Sequence, residues 1–111
     1  KEALIERLRV LADGCGASFG RRGDYPAWEY RKESLLRDTM VRIFQEKYGK
    51  APVVETIHAG LECGLFSEKM PGLDAVSIGP DLQDIHSPRE RMSVSSVARS
   101  WDYLLAVLAA L

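Results

Sequence analysis

Cysteine is scarce in this chain. Cys15 and Cys63 are the two in 111 residues, with no C-x-x-C spacing, which argues against a disulfide scaffold and for a reducing compartment. Neither sign of charge is in excess either. Fifteen basic and sixteen acidic side chains leave a formal net charge of -1, so there is no electrostatic footprint for nucleic acid and no polybasic segment for a membrane surface. Long apolar runs are missing: LLAVLAAL at residues 104–111 is the longest, far too short to cross a bilayer, and no signal peptide precedes the first helix. The expectation is a soluble, cytoplasmic protein with neither nucleic acid nor membrane as partner. Paired histidines are also lacking. The two present, His58 and His86, form no H-x-x-E-H or H-E-x-x-H pattern, so the chain does not spell out a complete zinc site. Nor is there an initial methionine; KEALIERLRVLA opens in full helical rhythm, which reads as a piece of something longer.

What is present is apolar content of 46%, enough at this length to predict one globular unit with a real core. Leu4, Leu8 and Leu11 share one face of a helix over residues 2–12, stopped by Gly14 and Gly16. A brief extended run from Cys15 to Phe19 and the turn-rich GRRGDYP follow. Ser34 is an N-cap for LLRDTMVRIFQEKYG, in which Leu36, Met40, Ile43 and Phe44 make the apolar stripe and Gly49 closes the end. PVVETIH (52–58) then reads as a strand, LECGLFSEK (61–69) as a helix, LDAVSIG (73–79) as a second strand, and the segment after Ser93 as a long closing helix.

Strands alternating with helices predict an α/β fold with a partial parallel-type sheet flanked by helices. In such sheets ligands bind beyond the carboxyl ends of the strands, where helix N-termini point free N–H groups outward. Both histidines fall there: His58 ends the first strand, and His86 lies in GPDLQDIHSPRER, a long loop after the second. Gly60 lets backbone approach a ligand closely, and the helix from Leu61 suits a carboxylate-bearing substrate.

Each of these residues also has a plainer reading. His86, held on a stiff loop by Ser87-Pro88, suits zinc ligation or a hydrogen bond to a backbone carbonyl. Glu62 is placed to meet an ammonium or an arginine, or simply to complement a helix dipole, worth about 0.3–1 kcal/mol. Cys63 is either a nucleophile with a histidine base or a small buried hydrophobe. Trp28, Tyr30 and Trp101 read as packing.

IHAGLECGLF, then SIGP, then HSPRER, followed by SVSSVARSWDYLLAVL, resembles the C-terminal part of the aminoacyl-histidine dipeptidases, the Xaa-His dipeptidase branch of a family of zinc exopeptidases. The resemblance is good over about residues 25–111 and looser before them. It implies that residues 25–111 are the C-terminal part of a catalytic domain, and that residues 1–24 are a helix and edge strand ending a lid and dimerisation domain. It implies further that His86 is a zinc ligand, and that Gly60, Leu61 and Glu62 face a bound dipeptide with His58 beside them. The cofactor implied is zinc, one or two ions in the full-length enzyme. The partners implied are the dipeptide, the remaining N-terminal half of the enzyme and a second copy in a homodimer. The other metal ligands, in an H-x-D segment, and the general-base glutamate belong to that N-terminal half, so no catalytic residue is assigned here and the piece alone is expected to be inactive. Arg89 departs from the acidic or small polar residue expected after H-S-P, whereas Glu90 is in place. Competing readings are another exopeptidase of that family, an aminopeptidase or tripeptidase; a thiol enzyme using Cys63; and a non-catalytic module binding a small anion.

Overall fold

The helix punctuation in the sequence operates as three different caps. The computed structural model describes residues 1–57 and 61–111. Helix α1 (Glu2–Gly14) ends in a Schellman motif, in which Gly16, at φ +66°, donates its N–H to the Asp13 carbonyl and Ala17 donates to that of Ala12. Helix α2 (Leu35–Tyr48) starts at Ser34, whose hydroxyl accepts the Arg37 N–H, and ends at Gly49 in the left-handed region. After α3 (Glu62–Lys69), the short strands β1 (Leu82–Gln83) and β2 (Arg91–Met92) lead into α4 (Val94–Leu108), capped by Ser93 accepting from Ser96.

Helices α2 and α4 form the core. Met40, Tyr103 and Val107 are buried between them, with Leu36, Ile43, Phe44, Tyr48 and Val76 packed around. This is the stripe anticipated for α2, completed by the apolar face of α4. Three aromatic rings interlock there: Phe44 meets Tyr103 edge-on at 5.4 Å and lies 4.7 Å from Tyr48. Each tyrosine also ties its hydroxyl to the opposite helix, Tyr103 donating to the Met40 carbonyl at 2.7 Å and Tyr48 to that of Arg99 at 3.2 Å.

Beyond that pair of helices the expectation of one globular unit with a real core is corrected. The radius of gyration is 19.2 Å, against about 13 Å for a compact chain of 100 residues. Apolar residues are numerous, but many lie on faces left exposed among the described residues. Helix α1 buries no residue, and Leu4, Leu8 and Leu11 stay exposed.

The parallel-type sheet does not form among the described residues, for the same reason. Residues 52–57 and 73–79 have no ladder partners among the described residues, and Val53 and Ile57 are 82% and 64% exposed. An extended segment becomes a strand only when a neighbour takes its N–H and C=O groups, whatever its side chains favour. The sheet that does form is the antiparallel pair Leu82↔Met92 and Gln83↔Arg91. The edge strand expected over Cys15–Phe19 is also without a ladder. Instead, residues 16–24 are tied along α1 by charge: Arg21 bonds Glu2 at 3.1 Å and also Asp24, which pairs with Lys1.

Candidate functional site

His86 lies at the tip of a hairpin rather than in the long loop after a parallel strand. The base of that hairpin is pinned to α4 by Asp81. Its backbone N–H donates to Ser96 Oγ at 2.8 Å, its carbonyl accepts from the Ser93 N–H at 3.0 Å, and its carboxylate accepts from Arg99 at 3.1 Å. Strands β1 and β2 rise from this anchor, and the Arg91 guanidinium crosses between them to Gln83 Oε1 at 2.7 Å.

The tip, residues 84–90, is a pair of linked turns. Ser87 closes the first: its N–H and its hydroxyl both donate to the Asp84 carbonyl, at 3.2 and 2.7 Å, and its Oγ accepts from the Arg89 N–H at 3.1 Å. Glu90 closes the second, with its own N–H on the Ser87 carbonyl at 3.1 Å and its Oε2 accepting the His86 N–H at 2.9 Å. Asp84 and His86 both sit at positive φ, +53° and +64°. That is a left-handed backbone uncommon outside glycine, in which Asn, Asp and His are over-represented. Hence H-S-P-R-E is a single folded unit.

The outcome for His86 is an exposed side chain on a constrained backbone. Among the described residues no group hydrogen-bonds its ring, which differs from the alternative of an imidazole bonded to a backbone carbonyl. An imidazole so displayed suits a divalent transition metal as one ligand. Among the described residues no three His, Cys, Asp or Glu side chains cluster to hold an ion, so these residues fit as contributors to a metal site rather than as the whole of one.

The second candidate element is the start of α3. His58 and Gly60 lie outside the described residues. Leu61 is the N-cap, extended at φ -119° and ψ 151°, with no side-chain cap bond, and Glu62 occupies the first turn with its side chain exposed. Cys63 is half-buried and unpaired with Cys15. A close backbone approach is made at Gly64, which is buried. A Cβ there would stand 2.9 Å from the Pro26 carbonyl oxygen, so α3 is seated on the 26–28 segment by the absence of a side chain. No hydrogen bond or ion pair among the described residues joins α3 to the hairpin.

Two anchoring residues lie outside the motifs, and each carries a signal in the sequence. Asp74 sits within LDAVSIG, where a lone carboxylate among apolar residues demands donors; Ser34 and the Leu36 N–H supply them. Asp81 follows Gly79-Pro80, where a chain reversal needs an anchor.

No family model matches the chain. A cytosol non-specific dipeptidase of Escherichia coli is 36% identical over 108 residues, which cover 97% of this chain and 22% of that protein. The solved structure of an aminoacylhistidine dipeptidase from Vibrio alginolyticus superposes with a TM-score of 0.80 at 35% identity, covering 99% of this chain and 22% of that one. The chain therefore spans about a fifth of the length of either match. No helix among the described residues is long and apolar enough to cross a membrane. Sequence and backbone agree: over nearly all of its length this chain is similar to one segment of proteins named as dipeptidases.

Proposed function

We propose that this chain is the C-terminal portion of a zinc-dependent dipeptidase acting on Xaa-His and related dipeptides in the cytoplasm, to which it brings one metal ligand and one substrate-facing loop. The observation that carries the reading is the His86 hairpin. A histidine in the left-handed region, exposed at the tip of a tightly bonded turn, is a strained arrangement of the sort that persists where the surroundings over-determine it. The resemblance of H-S-P-x-E to the dipeptidase motif, and the two dipeptidase matches, supply the chemistry that would use it.

In this reading His86 would hold zinc through an imidazole nitrogen, and the remaining ligands and the general base would come from the rest of the enzyme. When bound, the metal supplies Lewis-acid polarisation of the scissile carbonyl and activation of water. The chain's own residues bind and orient. Leu61 makes no side-chain cap bond, so the backbone N–H groups in the first turn of α3 would meet a substrate carboxylate beside Leu61 and Glu62, and the family resemblance adds His58 and Gly60 to the same substrate-binding set. A dipeptide bears both an ammonium and a carboxylate, and Glu62 with the helix N-terminus complements the two ends.

The rest of the enzyme would cover the apolar faces and give residues 52–57 and 73–79 the ladder partners they lack among the described residues. Residues 1–24, closed on themselves by the Lys1, Glu2, Arg21 and Asp24 ion pairs, are read as the end of a lid domain whose counterpart in a second copy forms a homodimer. The printed name of the Escherichia coli relative, a non-specific dipeptidase, favours a substrate range wider than Xaa-His alone. A panel of Xaa-His, other dipeptides and tripeptides, assayed with the full-length protein and with His86→Ala, tests both statements. Loss of zinc-dependent hydrolysis in the variant is expected. Wild-type activity without this imidazole overturns the assignment, and preference for tripeptides shifts it to another exopeptidase.

A further inference from the structure

We propose that Glu90 is the positioning residue for the His86 imidazole: its carboxylate accepts the His86 backbone N–H at 2.9 Å and so locks the left-handed turn that presents the ring. The inference rests on the reading of His86 as a metal ligand and adds a second residue to that site.

A side chain at positive φ leaves the turn in a direction set by the orientation of the peptide before it. Rotating that peptide swings the imidazole away from any point in space fixed by other ligands. The His86 N–H belongs to this peptide, and Glu90 is the group that holds it. The carboxylate has firm support, because residue 90 immediately precedes β2, which is laddered to β1 and anchored through Asp81 to the first turn of α4. Rigidity thus passes from the helix to the hairpin, from the hairpin to Glu90, and from Glu90 to the ligand four residues earlier. Other polar groups of the tip are engaged elsewhere: Ser87 closes the preceding turn on Asp84, and Arg91 is bonded to Gln83. This explains why a glutamate follows H-S-P at that spacing while position 89 tolerates an arginine. Arg89 contributes its backbone N–H to Ser87 Oγ, a bond any non-proline residue can make.

The test uses the full-length enzyme with Glu90→Ala, Glu90→Gln and His86→Ala. Zinc affinity is measured by chelator competition, and the visible absorption of the cobalt-loaded protein reports ligand geometry independently of turnover. Glu90→Ala is expected to weaken zinc binding by about 10–100-fold and to shift the cobalt bands. Glu90→Gln keeps an oxygen acceptor and should restore both towards wild type, a rescue that loss of a merely structural carboxylate would not show. His86→Ala should lose more affinity than either. If His86→Ala loses the metal while both Glu90 variants keep wild-type affinity and spectrum, the role of Glu90 is overturned and the ligand assignment stands. If His86→Ala keeps the metal, the ligand assignment fails and the inference with it. Should Glu90→Ala not fold, Glu90→Asp, one methylene too short to span the turn, carries the same readouts and the same expected loss.

Discussion

Asp74 caps α2 from forty residues away: one carboxylate oxygen accepts the Ser34 hydroxyl at 2.6 Å and the other accepts the Leu36 backbone N–H at 3.0 Å. Ser34 in turn accepts the Arg37 N–H, so the helix start and the 73–76 segment share one hydrogen-bonded cluster. Replacing Asp74 with alanine removes both bonds and leaves the buried Ser34 hydroxyl short of an acceptor. A loss of about 1–2 kcal/mol is expected, read as a fall in urea midpoint at neutral pH. An unchanged midpoint would show that the cluster is incidental.

The same carboxyl makes stability depend on acid. Burial pushes its pKa up, but the bonds from Ser34 and Leu36, with Arg31 and Arg37 nearby, outweigh that and hold it below the usual carboxylate value. A folded-state pKa below the unfolded one contributes stability that is present above the unfolded value, about 3.9, and is lost as pH falls through the folded value. Melting curves from neutral pH down to about pH 2 should therefore separate wild type from Asp74→Ala at the top of that range and bring them together at the bottom. A constant gap across the series would remove the linkage.

Tyr103 gives the opposite dependence. Burial, and secondarily the neighbouring Tyr48, raises its phenol above the ordinary value. Here the protonated form stabilises the fold: the contribution is complete below the unfolded pKa, about 10, and disappears as pH rises through the folded one. Tyrosinate absorbance should show a phenol titrating above the ordinary tyrosine range, absent in Tyr103→Phe. That variant also loses the bond to the Met40 carbonyl, a cost of about 0.5–1.5 kcal/mol in thermal denaturation.

Gly64 and Gly20 should respond differently to the same change. A methyl group at Gly64 meets the Pro26 carbonyl oxygen at 2.9 Å, whereas nothing lies within 4 Å of one added at Gly20. Gly64→Ala is expected to cost about 1–3 kcal/mol through backbone displacement, and Gly20→Ala to be close to neutral. Equal melting temperatures for the two would contradict the seating of α3 on residues 26–28.

The uncovered apolar faces predict association. Leu4 and Leu11 are 62% and 63% exposed along α1, and a contiguous stripe of this kind seeks a partner surface. Sedimentation of the isolated chain should reveal species larger than monomer at micromolar concentration, reduced by the paired change Leu8→Glu and Leu11→Glu. A monomer at every concentration would count against an interface there.

Helices were legible because their signals are local. Ser34, Ser93, Gly16 and Gly49 act within a few residues of where they stand, and the stripe of Leu36, Met40, Ile43 and Phe44 needs no knowledge of its partner to be recognised as a stripe. The strands were not legible in the same way. PVVETI and LDAVSIG have the composition of strands, yet their pairing depends on hydrogen-bond partners that are remote in sequence or lie in another part of the protein. The site divides similarly: H-S-P-R-E pointed to His86, but no spacing rule showed that the motif closes as two turns at the tip of a hairpin.

From its residues alone this chain carried the four helices with their caps and the short H-S-P-R-E motif around His86, because periodicity, caps and short motifs act over a turn or two of backbone. Three-dimensional packing settled the remainder: Asp74 as the cap of α2, Gly64 as the seat of α3, and the left-handed backbone that Glu90 holds beneath the imidazole. Those depend on which distant atoms come within about 3 Å of one another, and contact at that range is a property of the folded chain.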